Sequence, residues 1–188
     1  MKRWILATGL ACALLSGCGG MGATTFVHPN YNFGFVERVA VVPFENLSDD
    51  RGAGARMSRY FVSELLAVEV FEVVEPGEVA AAMSIVGELR VAELTKEQIV
   101  QVGRELQAQG LFLGSVTESS SLRTGSHTKN VVTLDVRLVE TETGAVIWST
   151  TLTESGRGFW AGLFGTGGRT MSEVSRETAH TAIERLVD

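Results

Sequence analysis

The apolar positions of this chain change period several times, and each change marks an element. From Val36, "VERVAVVPF" reads as a strand whose centre, Val39 to Val42, is continuously apolar, as expected where both faces of a sheet are covered. "ENLSDDRG" is a loop rich in turn and cap residues. Met57, Phe61 and Leu65, with Val62 and Leu66 alongside, recur at helical spacing and predict an amphipathic helix over residues 53–68. "FEVVE", 71–75, is a short strand, and Pro76 suits the first turn of a second helix with Val79, Met83 and Val86 on one face.

The second half is patterned as clearly. Thr95 to Gln98 has capping-box spacing and opens a third helix, with Ile99, Val102 and Leu106 inward and Gly110 as its expected stop. "LFLGSVTES" is a strand, followed by a polar loop at 120–130. "VVTLDVRLVE" then alternates Val132, Leu134, Val136 and Leu138 inward with Thr133, Asp135 and Arg137 outward. The "TETG" turn at 141–144 leads into "AVIWSTTLTE", which predicts a hairpin. Thr170 to Glu173 repeats the capping-box spacing and starts a last helix that buries Val174, Ala182, Ile183 and Leu186. The order is β-α-β-α-α-β-β-β-α. It predicts one α/β domain over residues 36–188, a sandwich of a mixed β-sheet packed with α-helices.

The chain before residue 36 follows other rules. Lys2 and Arg3 precede an apolar run from Trp4 to Leu15, then Ser16 and Gly17, which is the anatomy of a secretory signal. The run is shorter than the roughly 20 apolar residues of a transmembrane helix. Leu15-Ser16-Gly17-Cys18 resembles the bacterial lipobox. That resemblance implies removal of residues 1–17, a diacylglycerol on the Cys18 thiol and a third acyl chain on the new amino terminus. Cys12 would be cut away, so Cys18 has no disulfide partner, and the three histidines lack zinc-ligand spacing. Gly19 is not the aspartate that resembles an inner-membrane retention signal, so the expected address is the periplasmic face of the outer membrane. Residues 18–35 are read as the lipidated amino terminus and a flexible tether carrying Phe26, Tyr31, Phe33 and Phe35, whose later aromatics either dock on the domain or lead into the first strand, or else form a partner-binding segment.

Charge narrows the partners. Without residues 1–17 the chain has 171 residues, and loss of Lys2 and Arg3 leaves 14 bases against 22 acids, or −8. That balance repels phosphate backbones and excludes nucleic acid as an expected partner. No catalytic pattern stands out. "SHTK", 126–129, matches S-x-x-K without its companion motifs, and "GLFGTGGRT", 162–170, lacks the lysine of a phosphate loop. Asp49-Asp50 reads as service to the following helix start. The expectation is a non-enzyme with no metal and no cofactor beyond the acyl chains. On the glycine-rich insert 155–169, Phe159, Trp160, Leu163 and Phe164 form a candidate interaction surface.

Four stretches carry a wider resemblance: "VAVVPFEN" at 39–46, "FEVVEPGEV" at 71–79, "GLFLGSVTE" at 110–118 and "VTLDVRLVETETGAVIWS" at 132–149. In this order the series resembles the curli-secretion (CsgG-like) lipoproteins, the amino-terminal domain of TolB and the LpoB group, over residues 36–154. The resemblance implies a compact, lipid-tethered α/β domain that binds other envelope proteins, or copies of itself, and carries no catalytic site. The function it implies is a non-catalytic component of an envelope assembly or curli-type secretion system. The alternative it implies is a monomeric lipoprotein regulator of an envelope enzyme such as a peptidoglycan synthase. Curli-type channels resemble rings whose subunits donate extended hairpins, and the polar loop at 119–130 and the insert at 155–169 are too short for that role.

Overall fold

The computed structural model describes residues 23–87, 94–124, 127–156 and 168–187. Its strands are β1 (Thr24–Val27), β2 (Arg38–Val41), β3 (Glu45–Asn46), β4 (Glu72–Val73), β5 (Gly110–Thr124), β6 (His127–Glu140) and β7 (Val146–Ser155). Its helices are α1 (Ala53–Val68), α2 (Pro76–Val86), α3 (Lys96–Leu106) and α4 (Met171–Val187). All seven strands share one mixed, open sheet in the order β1-β7-β6-β5-β2-β4, with β3 alongside β5. β2 pairs β4 and β5 in parallel, whereas β5-β6, β6-β7 and β1-β7 are antiparallel. The expected class and element order are therefore what the chain adopts, with β1 and β3 added.

Strand alternation divides the interior into two cores. Val39 and Val41 join Phe112, Leu134, Trp148 and Ile183 on the side covered by α1 and α4. Ala40 and Val42 join Val79, Val102, Leu111 and Leu113 on the side covered by α2 and α3. This is why Val39 to Val42 carries no polar interruption. Met57, Phe61 and Leu65 are at most 1% exposed, as their spacing predicts, while Leu66 is 56% exposed. The capping box of α3 is formed, with Thr95 Oγ1 accepting from the Gln98 backbone N–H and Gln98 Oε1 accepting from that of Thr95. At the start of α4, Thr170 and Glu173 exchange the same pair of bonds.

Three expectations need correction. Gly110 does not stop α3: the helix closes on Gln107, in the left-handed region at φ 50°, and Gly110 opens β5. There a Cβ would lie 2.8 Å from Leu138 Cδ1, so close strand packing accounts for the glycine. The stretch 120–130 is not a loop, because β5 and β6 stay paired from Gly110↔Glu140 to Thr124↔His127. Polar Ser, Thr and Asn hide a strand that packs no apolar face: Ser121 to Arg123 and Thr128 are exposed, and Asn130 is buried through hydrogen bonds. Residues 19–35 are not wholly tether, because Thr24–Val27 pairs with Thr151–Trp148 as an edge strand. Tyr31 and Phe33 pack partly buried on the α1/α4-side core, ring centroids 5.3 Å apart, whereas Phe35 is 70% exposed.

Candidate interaction surface

Among the described residues, no helix covers one side of the middle of β6 and β7. α2 and α3 rest on β2 and the first part of β5 and leave the middle of β6 and β7 uncovered. Cross-strand neighbours make this open face polar: Glu118↔Thr133↔Thr153, Asp135↔Thr151 and Arg137↔Ser149. Thr133 Oγ1 lies 3.0 Å from Thr153 Oγ1 and donates to Glu118 Oε2 at 3.5 Å. Thr151 Oγ1 donates to Asp135 Oδ2 at 3.3 Å. Such side-chain ladders stabilise a solvated sheet face and leave exposed donors and acceptors on a flat surface. Thr133, Asp135 and Arg137 were legible in the sequence as outward positions, but their assembly with β7 depends on register.

On the opposite side a charged hub joins three elements and the loop before α1. Arg56 of α1 donates to Asp50 Oδ2 at 2.5 Å, Ser119 Oγ of β5 at 3.3 Å and Ser175 Oγ of α4 at 3.3 Å. Asp50 also accepts from Ser119 and from the Gly52 backbone N–H ahead of α1. The Arg56 bond, helped by those from Ser119 and Gly52, holds the Asp50 carboxyl below its usual range despite partial burial. Asp50 thus does serve the helix start, but through an arginine the sequence did not single out. Arg56→Ala is expected to lower unfolding free energy by about 2 kcal/mol, because it leaves a half-buried carboxylate without its strongest partner. A depressed carboxyl adds stability above its unfolded pKa and loses it as pH falls through the folded value. Thermal melts of wild type and variant should therefore differ at neutral pH, begin to converge only as pH falls below about 4, and meet below the lowered folded value.

Other titratable groups also do structural work. Burial pushes the Glu140 carboxyl up, but bonds from the Thr143 hydroxyl and the Glu142 and Thr143 backbone N–H groups outweigh it and hold it low. Glu140 thereby ties the β6–β7 turn, where Gly144 takes φ 71°. On α4, His180 bonds Glu64 of α1 at 2.8 Å, and Glu64 with Glu184 favours its charged form. A groove between the 47–50 loop and β5 is walled by Asp49, Asp50 and Glu118 with serines 120 and 121. Among the described residues no three His, Cys, Asp or Glu side chains form a metal-binding group. Cys18, Phe159, Trp160, Leu163 and Phe164 lie outside the described residues.

No protein-family model matches this sequence, and no curated protein matches it. Solved structures do. The PelC dodecamer from Paraburkholderia phytofirmans has TM-score 0.58 at 20% identity, covering 86% of this chain and 96% of that one. Lipoprotein GNA1162 from Neisseria meningitidis has TM-score 0.59 at 16% identity, covering 80% and 98%. The LpoB C-terminal domain from Salmonella enterica has TM-score 0.49 at 16% identity, covering 63% and 82%. At these identities the PelC and GNA1162 likenesses are likenesses of fold.

Proposed function

We propose that this chain is a lipid-anchored lipoprotein of the bacterial envelope, facing the periplasm from the outer membrane, that acts by binding other proteins rather than by catalysis. The open face of β6 and β7 carries the reading. A flat array of hydroxyls flanked by Glu118, Asp135 and Arg137 offers directional hydrogen bonds to a second protein. The lipobox resemblance at Cys18 supplies the anchor. GNA1162, which shares the fold, is itself a lipoprotein by name. No helix among the described residues is long and apolar enough to cross a membrane.

Two finer readings differ in the partner. A monomeric regulator of an envelope enzyme, such as a peptidoglycan synthase, is favoured by the two closed cores. Among the described residues both cores are closed, and the polar face of β6 and β7 carries no helix. Self-assembly is favoured by β1, which ends the sheet with Phe26 44% and Val27 53% exposed, and by the dodecamers of PelC. Curli-type secretion receives no support from these likenesses. Native mass spectrometry of the protein extracted gently in detergent tests all three statements. Cleavage before Cys18 with three acyl chains is expected, and an unmodified Cys18 would remove the anchor. One subunit would select the regulator, and a discrete multiple would select self-assembly.

A further inference from the structure

Strand direction and chain length determine which end of the domain meets the membrane. β1 is antiparallel to β7, with Thr24 opposite Thr151 and Val27 opposite Trp148. The chain therefore enters β1 from the end where β7 finishes, β6 begins and β5 ends. That same end carries an overhang. Thr151 is level with Asp135, and β6 extends from there eight residues back to His127, paired with β5 throughout. At roughly 3.3 Å per residue the hairpin projects about 26 Å past the level of Thr24. Thr24 lies six positions after Cys18, a reach of at most about 20–22 Å when fully extended. A Cys18 held in lipid is thus too close to lift the hairpin clear of the surface while the strands stand on it.

The overhang has the chemistry to sit there. From Ser119 to Leu134 there is no Asp or Glu, in a chain with 22 acids and 16 bases. Leu122 is 54% exposed and lies directly across from Lys129, with Arg123 beside it opposite Thr128. Neither cation pairs with a described carboxylate. Leu122 and Lys129 share one face of the hairpin and Arg123 lies on the other, so an exposed leucine with one cationic stem beside it and one behind it matches the boundary between headgroups and acyl chains. We infer that the β5–β6 hairpin is a second membrane contact, with Leu122 entering that boundary and Arg123 and Lys129 pairing with lipid phosphates. The contact rests on the anchor at Cys18 proposed above. It orients the domain, so that the β6–β7 turn around Glu142 points away from the bilayer.

The test uses the acylated full chain in vesicles of phosphatidylethanolamine and phosphatidylglycerol. A polarity-sensitive fluorophore is placed at Leu122→Cys or, in a separate protein, at Glu142→Cys, and a lipid-borne quencher is added. Acylation blocks Cys18, and Cys12 is removed with the signal, so each label is unique. The expected result is loss of most fluorescence at position 122 and almost none at 142. Paired Arg123→Glu and Lys129→Glu changes should restore fluorescence at 122 while the protein still sediments with the vesicles. Equal quenching at both positions, or none at 122 in protein whose mass carries the acyl chains, overturns the contact and leaves the anchor standing. Unchanged quenching in the charge-reversed protein overturns the role given to the cations. A mass without acyl chains overturns the anchor, and the contact with it.

Discussion

Truncating Phe112 to alanine is expected to cost about 4 kcal/mol, the range for an aromatic removed from a packed core. The ring is 0% exposed on the central strand β5. It stands edge-on to Phe61 at 5.1 Å, Phe71 at 6.5 Å and Trp148 at 6.5 Å, so it joins α1, the turn before β4, and β7. Phe61 continues the chain of rings to Phe44 at 5.2 Å. Removal forfeits transfer energy, edge-to-face contacts with three neighbours, and the support those neighbours give one another. Collapse into the void is hindered because the facing residues sit on separate, hydrogen-bonded elements. A fall in melting temperature of roughly 8–16 °C follows for a domain of this size. Leu122→Ala, on the exposed hairpin, is the control and should leave the melt unchanged. A Phe112→Ala protein that melts like wild type would show that this ring cluster does not hold the two layers together.

Elements that bury one face were legible because burial imposes a period. Met57, Phe61 and Leu65 could mark α1, and Val132 to Leu138 could mark β6, since each apolar residue has an assigned side. The hairpin tip had no such constraint. Ser121–Arg123 and Thr128 are exposed, and Ser119 and Asn130 are buried through polar contacts, so no apolar alternation was required of them. The legible sign was Gly125-Ser126, a two-residue hairpin signal set between two polar segments. β1 was hidden for another reason. Its four residues, Thr24–Val27, gain their place from a single partner strand, and a glycine-rich leader masks them. The Arg56 hub could not be read at all, because Asp50, Ser119 and Ser175 come from three distant parts of the chain. The open polar face falls between these cases: outward positions were predicted, but only the β6–β7 register sets Thr133 beside Thr153.

Replacing Cys18 with serine, with the lipobox exchanged for an ordinary small-x-small cleavage site, is expected to move the protein from the membrane fraction to the soluble periplasmic fraction. The exchange matters, because an uncleaved apolar run from Trp4 to Leu15 would hold the precursor at a membrane for an unrelated reason. Each buried methylene contributes about 0.8 kcal/mol, and one chain alone gives only reversible binding, whereas three hold a protein essentially permanently. What remains without them is weak. Two cations near an anionic surface contribute about 1 kcal/mol each, and burying one leucine side chain adds roughly 1.5–3 kcal/mol. Their sum stays below what lasting attachment requires, and a chain of net −8 opposes it further. On these magnitudes the proposed hairpin contact would orient an anchored domain without anchoring it. Fractionation of the serine variant, checked by intact mass for correct cleavage, decides the matter. A cleaved, unacylated protein that still sediments with membranes would place the main attachment in the domain itself.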